Sequence, residues 1–112
     1  MDSALSRYLP TPDRDVVVQV AAGDPEALAE LRRRHDSTLY ALAYGVLGDA
    51  LDAAHVVSET FLQAARAARQ FDPDLDRVPA WLAAITRQRA RIVLDTRTPP
   101  MREEAGVGSE AQ

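Results

Sequence analysis

The stretch that decides the fold lies at residues 54–87 and reads AHVVSETFLQAARAARQFDPDLDRVPAWLAAITR. Apolar residues recur at spacings of three and four in its first part, which predicts a helix over about residues 50–69. The residues expected to be buried are Ala54, Val57, Phe61, Ala65 and Ala68. Residues 70–77 then hold three aspartates and a proline, a composition typical of a loop.

A second helix follows this loop, with Pro79 in its first turn. Its apolar face is predicted to comprise Val78, Leu82, Ile85 and Ile92. The run Thr98-Pro99-Pro100 should end the helix, because proline lacks the backbone N–H and restricts the residue before it. Residues 85–97 carry four arginines and one aspartate, a net charge of +3, so this helix is basic.

Two more helices are predicted on the amino-terminal side. A short one over about residues 13–22 would bury Val16, Val17 and Val20 and end at Gly23. A long one begins with Asp24 as the N-cap and Pro25 in the first turn, and it ends at Gly48. Its apolar stripe is predicted to comprise Leu28, Leu31, His35, Leu39, Leu42 and Val46. Asp49 would cap the next helix.

Composition supports the same fold class. Hydrophobic residues make up 46% of the 112 residues and aromatic residues only 5%, which suits packed helices rather than a β-sandwich. We therefore expect an all-α, compact helical bundle of three long helices and a short N-terminal one. The expected organisation is a flexible arm at residues 1–12, a helical domain at 13–98, and a disordered tail or the start of an interdomain linker at 99–112.

Several function classes are excluded by the residues present. The chain has no lysine, so it has no Walker P-loop, and no cysteine, so it has no disulfide or thiolate metal site. His55 and Ser58 lack a third member for a catalytic triad. The aspartates of the loop fail as a calcium site because Arg77 stands where glycine is required. We expect no enzymatic activity, no cofactor and no metal, and, without a signal peptide or membrane span, a cytoplasmic protein.

Three segments together resemble region 2 of the extracytoplasmic-function sigma factors of bacterial RNA polymerase. They are the helix around Val56-Val57-Ser58-Glu59-Thr60-Phe61, the Asp/Pro loop, and the Trp-led arginine-rich helix. In that family the first helix grips a coiled coil of the largest polymerase subunit, and an arginine-rich surface would match the acidic side of this helix. The resemblance implies that the polymerase-binding residues are Asp52, His55, Val56, Ser58, Glu59 and Gln63.

The loop and the second helix carry the implied contacts to promoter DNA, on the non-template strand of the minus-ten element. In the family the loop receives a base flipped out of the duplex, and the following helix reads the upstream edge of that element. Aspartates can hydrogen-bond a base edge, an aromatic face can stack on a base, and arginines suit phosphates. The implied residues are Phe71, Asp72, Asp74, Asp76, Arg77, Trp81, Arg87, Gln88 and Arg91. For Trp81 a mainly structural role with an exposed edge is the leading interpretation. The run Arg32-Arg33-Arg34 is expected to be mostly solvated.

Some positions depart from the usual residues of the family. His55 stands where aspartate is usual, Ser58 where glutamine is usual, and Gln88 where asparagine is common. After Gln88 the family continues with an aspartate and several arginines, whereas this chain has Ile92, Val93 and Asp95. These departures and the net charge of −4 favour an alternative, a sigma-like protein-interaction module with little DNA activity. Such a module would bind an anti-sigma factor, or bind polymerase as a decoy. A third interpretation is a helical domain unrelated to transcription. The 12 residues after Pro100 are too few for the second DNA-reading domain of this group.

Overall fold

Four α-helices lie between residues 11 and 97, the part of the chain that the computed structural model describes. They are α1 (Asp13–Ala21), α2 (Pro25–Leu47), α3 (Ala50–Ala67) and α4 (Val78–Arg97). A 3₁₀ turn at Ala68–Gln70 follows α3. No strand occurs within this part of the chain, so the predicted all-α fold is confirmed. The expected arm falls almost entirely outside the described residues, and the expected tail does so completely.

The helix ends follow the predicted capping residues. The Asp24 side chain accepts a hydrogen bond from the backbone N–H of Glu26 at 2.9 Å, which satisfies a donor at the start of α2. Gly48 ends α2 in the left-handed conformation with φ of 65°, which glycine adopts at little cost. Asp49 then accepts from the N–H of Asp52 at 2.9 Å and starts α3. Local chemistry therefore sets these three boundaries.

The three long helices pack against one another, and α1 packs mainly on α2. The larger core lies among α1, the first half of α2, the second half of α3 and the start of α4, and the loop contributes Phe71. A smaller core, at the opposite end of α2, comprises Ala43, Leu47, Ala53, Val56 and Ala90. Since a buried alanine lets two helix backbones approach closely, this end of the bundle is tightly packed.

The buried face of each long helix differs in part from the predicted stripe. Val46 of α2 and Ile92 of α4 were expected in the core, but both are exposed. In α3 the buried alanines are Ala53 and Ala64 rather than Ala54 and Ala65. Periodicity along one helix indicates an apolar face only to within about one residue, and packing against the neighbouring helices decides which residues of that face are buried.

The guanidinium of Arg34 links α2 to α1 and also binds a buried carboxylate of α2. Glu30 is only 2% exposed, and its side chain accepts a 2.7 Å hydrogen bond from Nε of Arg34. The same arginine donates through Nη1 to Asp13 at 3.0 Å and to the backbone carbonyl of Thr11 at 2.7 Å. Burial lowers the pKa of Arg34, but hydrogen bonds and charge from Glu30 and Asp13 outweigh it and raise the pKa above its ordinary value. Arg34 therefore stays charged and joins the two helices, so the expectation of a mostly solvated arginine run does not hold for Arg34.

Two buried hydroxyl groups meet between α3 and α4. The Oγ1 atoms of Thr60 and Thr86 lie 3.2 Å apart. Each also bonds to a backbone carbonyl on its own helix, Thr60 to Val56 at 2.8 Å and Thr86 to Leu82 at 2.9 Å. Both hydroxyls therefore have partners, which is the condition for burying polar groups at low cost.

Candidate polymerase and nucleic-acid interfaces

The outer face of α3 combines apolar and polar side chains. Leu51, His55, Ser58 and Leu62 follow one another at spacings of three and four, so they share this face. Leu51 is 83% exposed and Leu62 is 50% exposed. The sequence analysis did not select either leucine. Both leucines lie outside the apolar stripe of α3 that was expected to be buried, and this position in the sequence could have identified them as exposed.

Two of the predicted polymerase-binding side chains are less accessible than expected. Val56 is 1% exposed and belongs to the smaller core, so its burial argues against a direct contact with a partner. Ser58 is half-buried and accepts a hydrogen bond from Nη2 of Arg32 at 3.1 Å. That guanidinium lies 5.5 Å from the centroid of the Phe61 ring, where it covers one side of the core.

The acidic side of α3 is engaged by arginines of α4. Asp52 forms a 2.7 Å ion pair with Arg97, which also donates to the backbone carbonyl of Leu47 at 2.9 Å. Glu59 lies 3.7 Å from Nη1 of Arg89, and Nε of that arginine donates to Oε1 of Gln63 at 2.9 Å. The arginine-rich complement expected from a partner is therefore supplied in part by the chain itself. The sequence analysis missed Arg89 because its partners lie 26 and 30 positions away.

A groove between α2 and α3 borders the same face. Its lining includes Arg32, Asp36, Ser37, Tyr40, Ala54 and Ser58. The ring of Tyr40 stacks on that of Tyr44, with centroids 6.1 Å apart, and Tyr44 is half-exposed. The groove extends the exposed face of α3 onto α2.

The acidic loop is organised by its own carboxylates. The backbone N–H of Asp72 donates to Oδ2 of Asp76 at 2.7 Å, and the N–H of Asp74 donates to Oδ1 of Asp72 at 2.9 Å. Two of the three carboxylates thus fix the backbone of the turn. Asp74 and Leu75 are exposed at its tip, and Leu75 is 80% exposed. Arg77 is also exposed, and its carbonyl accepts the backbone N–H of Trp81 at 2.9 Å.

An aromatic pair supports the base of the loop. The rings of Phe71 and Trp81 have centroids 4.9 Å apart and planes inclined by 53°. Phe71 is buried and belongs to the larger core, so its burial argues against stacking on a base. Trp81 packs on the same core but is only partly buried. The structure thus makes Trp81 the accessible aromatic residue of this pair.

The outer face of α4 carries the basic residues predicted for DNA. Arg87, Gln88 and Arg91 are all exposed and line one shallow depression together with Ala84. The two arginines also border a groove towards α2, whose lining includes Val46 and Leu94. A surface with two guanidinium groups and an amide can contact phosphates and base edges. By contrast, Arg89 and Arg97 are turned towards α3.

The fold and these surfaces define a helical interaction domain with a mixed apolar and polar face on α3 and a basic face on α4. Residues 31–96, well over half of the chain, match the model of the sigma-70 region 2 family. The chain therefore belongs to the sigma-70 region 2 family, a family without enzymatic activity. No curated protein and no solved structure matches it. None of the helices between residues 11 and 97 has the length and apolarity that a bilayer crossing requires.

Proposed function

We propose that the chain binds core RNA polymerase through α3 and takes part in recognising and opening the promoter minus-ten element through the loop and α4. The observation that carries the proposal is the family match, which spans α3, the loop and most of α4. Within that span Leu51 and Leu62 of α3 and Arg87 and Arg91 of α4 are exposed. The chain supplies binding surfaces, and polymerase supplies the chemistry.

The polymerase side rests on the outer face of α3 and the adjoining groove. A helical coiled coil of the largest polymerase subunit could pack its side chains against Leu51 and Leu62. His55, Ser58 and Glu59 would give polar contacts beside them, at the positions that the family resemblance indicates. Central apolar anchors with a polar rim are the usual composition of a protein interface.

The DNA side rests on the loop tip, Trp81 and the outer face of α4. A flipped base must regain a few kcal/mol of lost stacking, and a partly buried aromatic residue beside a fixed turn offers such a contact. Arg87 and Arg91 would hold the backbone of the separated strand. Because the chain is acidic overall, strand binding would depend on this local basic face rather than on net charge.

The test is a binding titration of purified core polymerase with the fluorescently labelled chain. Leu62→Glu places a charge on the outer face of α3, and Val18→Glu places one on the exposed side of α1. The proposal predicts that the wild type and Val18→Glu bind alike, whereas Leu62→Glu loses most of its affinity. Equal binding by all three proteins would contradict the proposal that polymerase docks on the outer face of α3.

A second titration measures the polymerase complex on a single-stranded minus-ten oligonucleotide over a range of salt concentrations. Arg91→Gln should weaken binding and lower the slope of log affinity against log salt by about 1, because one phosphate contact is lost. Arg14→Gln removes an exposed arginine of α1 and serves as the matched control. If the chain binds polymerase but the affinity of the complex for the oligonucleotide does not depend on Arg91, the interaction-module alternative replaces the proposal for α4.

A further inference from the structure

We propose that Arg89 is a positioning residue, which couples the polymerase-binding helix to the DNA-reading helix. This inference rests on the proposed function. Arg89 lies on α4 between Arg87 and Arg91, but its guanidinium points to α3 and contacts two predicted polymerase-binding residues. One side chain therefore touches the surface assigned to polymerase while its neighbours on either side form the surface assigned to DNA.

The two contacts of Arg89 differ in kind. Its Nε donates a hydrogen bond of 2.9 Å to Oε1 of Gln63, which fixes the plane of the guanidinium. Its Nη1 lies 3.7 Å from Oε1 of Glu59, too far for a strong hydrogen bond but close enough to attract the carboxylate. His55 lies 3.9 Å from the other carboxylate oxygen. Glu59 thus lies between two nitrogen-bearing side chains, neither within hydrogen-bonding distance, and it keeps acceptor capacity for a donor from outside.

Orientation of Glu59 and Gln63 matters because both side chains have several rotatable bonds. A partner that binds them must restrict those bonds, which costs conformational entropy. Less entropy is lost when the free protein already restricts them. The same contact ties α4 to the polymerase-binding face of α3. Arg87, Gln88 and Arg91 lie on the exposed side of the same helix. Docking and strand reading should depend on one another through this contact.

The experiment measures core polymerase affinity for Arg89→Gln, Glu59→Gln, the double variant and Arg14→Gln as a charge-matched control. Each of the first two substitutions is expected to weaken binding about two- to fivefold, as for a partly exposed ion pair. The double variant should bind no more weakly than either single variant, because both remove the same arrangement. Arg89→Lys should bind polymerase about as weakly as Arg89→Gln, since lysine lacks the planar group with several N–H donors that reaches both Gln63 and Glu59. Arg14→Gln should bind like the wild type.

Different outcomes separate the failure of this inference from that of the proposed function. If the wild type does not bind polymerase, the proposed function fails first. If the wild type binds and Arg89→Gln binds equally well, or its effect simply adds to that of Glu59→Gln, Arg89 does not position Glu59. An NMR measurement on the free protein tests the contact without polymerase. The Nε–H signal of Arg89 should be protected from exchange and should shift in Gln63→Ala, and an unprotected signal would overturn the proposal.

Discussion

Removing the positive charge of Arg34 should strongly destabilise the domain, and its neighbour Arg33 provides the comparison. Both arginines contact Glu30, but Arg34 approaches to 2.7 Å and Arg33 only to 3.4 Å. The side chain of Arg34 is 19% exposed and that of Arg33 is 49% exposed. Arg34 also holds Asp13 and the Thr11 carbonyl, so its loss would leave three acceptors without this donor.

The magnitude follows from the burial of Glu30. Breaking a fully buried ion pair costs about 3–5 kcal/mol, because the remaining charge is left desolvated. Arg34 is partly exposed and Glu30 keeps Arg33, so we expect Arg34→Met to lower the free energy of unfolding by about 2–4 kcal/mol. Methionine keeps the apolar stem of the side chain, which limits the change to the polar head. Arg33→Met should cost about 1 kcal/mol or less, as for an exposed pair.

Urea denaturation followed by circular dichroism measures both variants. With a typical urea dependence for a small domain, the midpoint for Arg34→Met should fall by about 1–3 M, and that for Arg33→Met should change little. Replacing Glu30 and Arg34 together by methionine should restore part of the loss, because the buried Glu30 carboxylate is then removed with its partner. Equal losses for the two single variants, or a loss below about 1 kcal/mol for Arg34→Met, would refute the reasoning.

Three further predictions concern the helix surfaces and contacts. Leu51→Ala should weaken core polymerase binding roughly 5- to 30-fold in a fluorescence titration if docking buries this leucine, since its burial is worth about 1–2 kcal/mol. Urea denaturation should show Thr86→Val within about 1 kcal/mol of the wild type, because Thr60 keeps its own carbonyl partner. A larger loss would show that the hydroxyl pair itself is needed. Arg97→Gln should speed amide hydrogen exchange in the last turn of α4 with little change in global stability, because the ion pair with Asp52 is exposed.

The sequence predicted most of the fold because helix ends are decided locally. Asp24, Gly48 and Asp49 act on backbone groups within a few positions of themselves, so their roles are visible in the linear chain. The apolar residues on which helix periodicity depends also lie within a few turns of one another. The family resemblance came from the order of three such segments, and the match over residues 31–96 supports it.

Tertiary structure decided which face of each helix is buried and where the charges go. Val46 and Ile92 are exposed because they lie outside the contacts between helices, and Glu30 is buried with its carboxylate paired to Arg34. Arg89 and Arg97 pair with residues 26 to 50 positions earlier in the chain, and only the packing of α4 on the preceding helices brings them together. Helical periodicity places a residue on its own helix, whereas its partner depends on how helices cross. The sequence by itself therefore determined the helices and their caps, and the packing of the helices determined the exposed surfaces and the ion pairs between them.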